Sequence, residues 1–493
     1  MRNISSLRNR IEECIPIAIA NILSHGDTDI FPLTEDTVLL FSNLEEAVSK
    51  VLEIHDEFMS GSAGEQPEMI RFLVPAGYLG QRLATQISPL WNAYYLAIVI
   101  ACGSEIELKR VTSDMVFSYR FISPTADGQI FDSTIGWGQF VDATVDACSK
   151  YSYALVTDIS DFYHRIRTSA ISNLLSQTGI EDSLRDVLIR VLELFEVDRY
   201  GLPVGGPASR LLAELVLTQI DDLLLIQKVP FIRFVDDVRI FAKSEVNAHR
   251  HLLFLSGILW DEGFSLQKNK TQILRSIDLV EELNYSRAFA LKSISGVASS
   301  SDSLLLIPQD PYSEMRAQIN KQLSEFALHP DAVTTLIREF SKKRLNLSLA
   351  RNLLASISHL PNEQAADVFF ALLELTDTLT MVPVFNRLLE AIEKNINRLS
   401  QPSIEKIRDR LEDISFSEAA VVMVDFHRAL CIRLLGRLPI RNIQFISQNI
   451  EMLELSTQCQ LIRREIVSFK KKYFMGDSLD PTHLIFEQRN SAK

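Results

Sequence analysis

The stretch Phe231-Ile-Arg-Phe-Val-Asp236-Asp237-Val-Arg-Ile-Phe241 sets two adjacent carboxylates in the middle of an apolar, β-branched run. The residues on either side read as two short strands, which puts Asp236 and Asp237 at the bend of a hairpin. Two anions side by side on buried strands are strongly destabilised unless something cationic compensates. A divalent ion is the usual partner, because hard Mg²⁺ takes carboxylate oxygen and leaves room for substrate phosphates. Taken alone, the pair also fits a solvated acidic turn. What stands upstream decides.

Upstream, Tyr153-Ala-Leu-Val-Thr-Asp158-Ile-Ser-Asp161-Phe162-Tyr163 reads as a buried strand that presents Asp158 at its C-terminal end, with an aromatic pair entering a helix. A two-metal site needs carboxylates from separate elements around ions about 3.5–4 Å apart. Asp158 and Asp236 lie 78 residues apart (236 − 158), so only a tertiary fold brings them together. Between them, Gly201-Leu-Pro-Val-Gly205-Gly206-Pro-Ala-Ser209 reads as a glycine-rich turn running into a strongly apolar helix. After the pair, Gly263-Phe-Ser-Leu-Gln-Lys268-Asn-Lys270-Thr271 reads as a short polar strand or turn carrying two lysines. Each segment has an ordinary alternative: Asp158 as a helix N-cap, Gly201–Pro207 as a loop, the lysines as a solvated strand end, Phe162 and Tyr163 as core aromatics. The four together, in this order, favour one site. Asp221 and Asp222 read as an exposed face or helix end, and His164 as incidental.

These four segments resemble the palm motifs of reverse transcriptases, in the family's order. Asp158 matches the first motif, Gly201–Ser209 the Leu-Pro-x-Gly-x-x-x-Ser motif, and Phe234-Val-Asp236-Asp237 the aromatic-x-Asp-Asp motif. Gly263–Lys270 matches the motif that supplies a lysine near the triphosphate. The wording of Asp-Ile-Ser-Asp-Phe-Tyr and Arg-Phe-Val-Asp-Asp-Val-Arg-Ile-Phe looks most like the bacterial defence-associated, abortive-infection (AbiK-like, "unknown group") enzymes. The resemblance implies that Asp158 and Asp236 ligate two ions, Mg²⁺ or Mn²⁺ in its place, with Asp237, the third carboxylate of the metal set, supporting the site or contacting the primer end. Tyr163, or Phe162 beside it, would block a ribose 2′-hydroxyl and select dNTPs. Gly205 would let backbone approach the incoming nucleotide, with Ser209 in the same substrate-binding segment. Lys270 would act as general acid toward pyrophosphate. Arg120, in Tyr119-Arg120-Phe121, would clamp the triphosphate, with Lys109 and Arg110 as weaker choices, since guanidinium gives bidentate phosphate contacts. Retroviral enzymes carry glutamine where this chain has Val204, a departure familiar in the defence group.

The chain has 493 residues, 47% of them hydrophobic, a length suited to two to four domains. The best apolar run, Tyr94–Cys102, is too short to span a membrane, and the N-terminus lacks a signal-peptide pattern. Five scattered cysteines without metal spacing read as free thiols in a reducing cytoplasm. A net charge of −13 argues against a generally basic nucleic-acid binder while allowing a local basic channel. Lys342-Lys343-Arg344 and Lys470-Lys471-Lys472 are candidate patches or solvated helix faces.

The expected fold class is α/β plus all-α: a reverse-transcriptase fingers and right-hand polymerase palm, followed by a C-terminal helical-repeat domain. The expected boundaries are a helical extension over 1–66, a fingers-like region over 67–145, the palm over 146–280, a thumb-like connection over 281–315 and an α-helical repeat domain over 316–493. The last rests on apolar positions at three-to-four spacing in Leu345–Leu360, Ala365–Leu379, Val384–Leu399 and Ile404–Leu411, punctuated by prolines. The resemblance adds a helical-repeat C-terminal domain, an RNA partner, a DNA product, and assembly into a homo-oligomer, a trimer or hexamer; the short apolar runs add the expectation of no membrane partner. It also allows DNA primed from a side-chain hydroxyl; Tyr473, after three lysines, is the candidate. The expected function is a DNA polymerase of reverse-transcriptase type in antiphage defence, copying a noncoding RNA or extending without template. The alternatives are a catalytically silent RNA-binding scaffold and a nucleotide cyclase, whose pattern lacks the Gly201–Ser209 and lysine motifs.

Overall fold

Short, mostly apolar and almost continuously buried strands form the small sheet that positions the acids of the first unit. The protein is described here from a computed structural model covering residues 2–28, 30–61, 66–196, 201–284, 321, 323–439 and 443–475. The described residues form two units. One holds those up to Met69 and from Thr85 to Asn284; the other holds Ile70–Ala84 and those from Lys321 onward. Most of the expected thumb-like connection lies outside the described residues.

In the first unit, α1 (Arg2–His25) and α2 (Leu44–Ser60) pack against α3 (Pro89–Ala101). The apolar run Tyr94–Cys102 explains α3: it is buried on every side, as an all-round hydrophobic helix must be. A four-stranded antiparallel sheet follows, from β3 (Tyr153–Asp158), β4 (Phe231–Phe234), β5 (Asp237–Ala242) and β6 (Gln272–Arg275), in the order β4-β5-β3-β6. Between β3 and β4 the chain makes α5 (Phe162–Arg165) and α6 (Pro207–Ile226), while α4 (Trp137–Lys150) precedes β3 and packs on β4. Pro207 at the start of α6 has a fixed φ suited to a first turn and no N–H to leave unpaired. The helix α7 (Glu245–Asp261), capped by Ser244 accepting from Asn247 N, covers β3 and β5.

In the second unit the expected helices are present with shifted ends: Leu347–Ser356, Asn362–Leu373, Phe385–Asn395 and Gln401–Ser415. Ala332–Phe340, Asp425–Leu435, Ile443–Ser456 and Gln460–Lys470 add to them. Along much of this run a helix packs against the next but one, the arrangement of stacked helical pairs. The tip of the hairpin β1 (Met69–Ala76) and β2 (Gly80–Ile87), expected with the fingers-like region, groups with these helices instead. Phe72 stacks on Phe426 with ring centroids 5.5 Å apart, and the Tyr78 hydroxyl donates to Leu345 O at 2.8 Å.

Candidate active site: three carboxylates at the sheet end

Register brings the distant acids together. Antiparallel pairing of β3 with β5 sets Asp158 opposite Asp237, and pairing of β4 with β5 sets Phe234 opposite Asp237. Val235 and Asp236 are therefore the two residues of a tight turn, one position earlier than the expected bend at Asp236 and Asp237, because Asp237 already pairs as the first residue of β5. Val235 has φ +53°, the feature of a turn whose twist suits a two-residue hairpin. Asp236 O accepts from Ile159 N at 3.1 Å, tying the turn to the chain just past Asp158. One carboxylate oxygen from each of Asp158, Asp236 and Asp237 lies within 4.8 Å of the others.

Electrostatics mark the cluster as short of positive charge. Burial, with Asp158 and Asp237 adding repulsion, pushes the Asp236 carboxyl up to about 7. Burial and then Asp158 push Asp237 up to about 6. An all-oxygen, anionic donor set on two strands and a turn fits a hard divalent cation such as Mg²⁺ or Mn²⁺. Lys270 Nζ reaches Asp158 Oδ2 at 3.0 Å from the short 3₁₀ turn Lys268–Lys270, with its side chain 61% exposed. Burial works against the ammonium, but the hydrogen bond to Asp158 and the neighbouring acids outweigh it and raise its pKa.

The aromatic pair divides its roles. Phe162 is core, 2% exposed and 5.3 Å from the Phe264 ring. Tyr163 is half-buried, its phenol pushed well up by burial and by Tyr119 and Asp236, against the opposing pull of Arg210. Gly201 explains how Tyr163 is held: its N–H donates to His164 O, and Leu202 N donates to Tyr163 O, both at 3.1 Å. A Cβ at Gly201 would fall 2.5 Å from Tyr163 O and 2.4 Å from Ile166 O, so no other residue fits without displacement. Gly205 takes φ +112°, open to glycine and strained for others. Ser209, 1% exposed, meets the Tyr95 hydroxyl at 3.3 Å beside a small pocket shared with Val204, Gly206, Gln86 and Asn92.

The candidate phosphate clamps face inward. Arg120 donates to Val111 O at 2.7 Å and pairs with Glu107. Arg110 is held by Ser118 O, Tyr119 O and Glu214. Both guanidinium groups are engaged inside the fold in this conformation, Arg110 by two carbonyls and Glu214, Arg120 by Val111 O and Glu107. Asp221, expected on an exposed face, is 1% exposed and takes Arg233 through two hydrogen bonds of 2.9 and 2.6 Å. A signal was present in the sequence: Glu214 and Asp221 stand seven residues apart on an otherwise apolar helix, and Arg233 interrupts an apolar strand. Tyr473 lies in the second unit, where its hydroxyl donates to Leu438 O at 2.6 Å.

Residues 105–300 match the family model described as reverse transcriptase (RNA-dependent DNA polymerase). The matched region holds all three carboxylates, Lys270 and the Gly201–Ser209 turn. No curated protein matches the chain. Among solved structures, telomerase from Candida albicans in complex with a TWJ fragment of telomeric RNA is similar at 11% identity, covering 79% of this chain and 71% of that one, with a TM-score of 0.32. Apo telomerase from Candida tropicalis is similar at 10% identity, covering 87% and 74%, with a TM-score of 0.33.

Proposed function

We propose that this chain is a two-metal DNA polymerase of reverse-transcriptase type, extending a DNA strand from dNTPs. The observation that carries the reading is the convergence of Asp158, Asp236 and Asp237 within 4.8 Å, inside the region that matches the reverse-transcriptase model. Divalent ions held there, Mg²⁺ or Mn²⁺, would activate the attacking hydroxyl and stabilise charge on the leaving pyrophosphate. The chain's own groups do the rest. Tyr163, fixed by the Gly201 contact, walls the ribose side and disfavours a 2′-hydroxyl. Gly205 leaves backbone open to the nucleotide. Lys270, exposed and protonated, can swing from Asp158 to a phosphate and deliver a proton to pyrophosphate. Ser209 supports this surface from below through Tyr95.

The motif wording supports placing this activity in bacterial antiphage defence, in the cytoplasm, with a noncoding RNA copied or DNA extended without a template. It supports equally a homo-oligomer, trimer or hexamer, organised by the helical unit. Priming from Tyr473 would first have to break its bond to Leu438 O, and burial, which raises the phenol's pKa, also holds its proton.

The test is incorporation of labelled dNTPs by purified protein with Mg²⁺ or Mn²⁺, before and after RNase, on gels run with and without protease. Labelled DNA that disappears in Asp236→Asn/Asp237→Asn supports the reading, and survival after RNase assigns untemplated extension. Protein-linked label that disappears in Tyr473→Phe assigns the primer. Replacing Tyr163 by Ala should admit ribonucleotides. No incorporation under any condition, including complexes recovered from infected cells, would leave a silent RNA-binding palm.

A further inference from the structure

Val235 carries a β-branched side chain in the left-handed region, at φ +53°. Glycine rests there without strain; valine persists only where its surroundings hold it. Here both polar groups of the residue are held by buried side chains. The Val235 N–H donates to Ser118 Oγ at 2.9 Å, and the Val235 carbonyl accepts from Arg233 Nη1 at 3.0 Å. The two side chains meet on one carboxylate. Ser118 Oγ donates to Glu214 Oε1 at 2.5 Å, and Arg233 Nη1 donates to Glu214 Oε2 at 3.0 Å.

The rest of the cluster fixes these three. Arg110 Nη2 donates to Glu214 Oε2 at 2.8 Å, and Asp221 takes the remaining edge of the Arg233 guanidinium. Ser118 and Glu214 are 0% exposed and Arg233 is 1% exposed. Two arginines balance two acids, so the cluster sits inside the fold without net charge. The chain around Ser118 is also bound to β4 through its backbone: Phe117 N donates to Arg233 O and Arg233 N donates to Met115 O.

The geometry points to Ser118, Glu214 and Arg233 as positioning residues that hold the Val235 peptide in its strained turn and so aim Asp236 and Asp237 at Asp158. Released from the clamp, Val235 relaxes to an ordinary conformation, the turn rotates, and the three carboxylates no longer share a point. The clamp acts through the backbone and touches neither metal nor nucleotide. This inference rests on the reading of the three carboxylates as a divalent-metal site.

Ser118→Ala removes one hydroxyl without stranding a buried charge, and Ser118→Thr keeps the hydroxyl. In the full chain, Ser118→Ala should weaken Mn²⁺ binding by about 10-fold, the scale set by outer partners of metal ligands. It should lower kcat for dNTP addition with KM little changed, and speed amide exchange across residues 231–241 in metal-free protein. Ser118→Thr should restore all three. Adding Val235→Gly to Ser118→Ala should recover part of the affinity, because glycine adopts the turn unaided; this pair also serves if Ser118→Ala alone does not fold. Unchanged Mn²⁺ affinity, kcat and exchange in Ser118→Ala, with or without a lower melting temperature, would overturn the clamp. If Asp236→Asn/Asp237→Asn left Mn²⁺ binding intact, the metal reading would fall and the inference with it; the exchange data would still show whether Ser118 holds the turn.

Discussion

Two clusters of charge flank the Val235–Asp236 turn. Behind Val235, Arg110, Arg233, Glu214 and Asp221 are closed off from water, balanced in charge and bonded on nearly every polar edge. In front of it, Asp158, Asp236 and Asp237 crowd together with Lys270 as the one cation hydrogen-bonded to them among the described residues. The contrast shows in the acids themselves. Burial alone would push Glu214 up, yet Arg233 and Arg110 pull it below its ordinary value; at Asp221 burial outweighs Arg233 and the carboxyl stays raised, and at Asp236 the neighbouring acids add to burial instead of opposing it. A compensated cluster sets architecture. An uncompensated one reserves a place for a ligand that brings the missing charge.

The sharpest break between the two is in activity. Asp236→Asn should reduce nucleotide incorporation at least about 10³-fold, some 4 kcal/mol of barrier at about 1.4 kcal/mol per tenfold; single-turnover rates measure it. On stability the two clusters should respond with opposite sign. Glu214→Gln leaves arginines buried and underpaired, and should cost roughly 3–5 kcal/mol in chemical denaturation. Asp236→Asn removes a repelled carboxylate and should stabilise metal-free protein at pH 8 by on the order of 2 kcal/mol.

The pH profile follows from the same shifts. Asp236 and Asp237 are raised from 3.8 to about 7 and about 6, so the folded chain binds more protons than the unfolded chain through that window. Stability of the metal-free protein should therefore fall as pH rises from about 4 to about 7 on account of these two groups. Saturating Mn²⁺, which keeps both ionised, should remove that component, and metal affinity should climb over the same range. Thermal melts with and without Mn²⁺ across pH separate the cases; equal slopes would contradict them. The smallest effect is expected from Lys270→Ala: an ion pair with a 61% exposed lysine contributes about 0–1 kcal/mol, so stability should barely change.

Much of the front cluster was legible in the sequence because its signals are local. A β-branched run ends in Asp158, a strand pair flanks Asp236, and glycines precede an apolar helix. The stacked helices of the second unit were legible for the same reason, through their periodicity. The rear cluster left only hints, the seven-residue spacing of Glu214 and Asp221 and an arginine inside an apolar strand, because its partners come from three separate segments and no local pattern joins them. Asp221 shows how that misleads: an acid near the end of a helix is usually solvated, and only Arg233, twelve residues on, makes it a core residue. The inward turn of Arg110 and Arg120 was equally hidden, since a basic-aromatic tripeptide says nothing about which way its loop folds.

The hairpin Ile70–Ala84 has a consequence for how the molecule is made. Its strand buries Ile70, Phe72 and Val74, and Phe72 stacks on a ring 354 residues later in the chain (426 − 72). During synthesis at 5–20 residues per second those apolar groups emerge roughly 20–70 s before their partner. Over that interval the nascent chain carries an open β-edge with nothing to close on, a natural binding point for a chaperone. The second unit is thus no appended tail: it is begun before the palm and finished last.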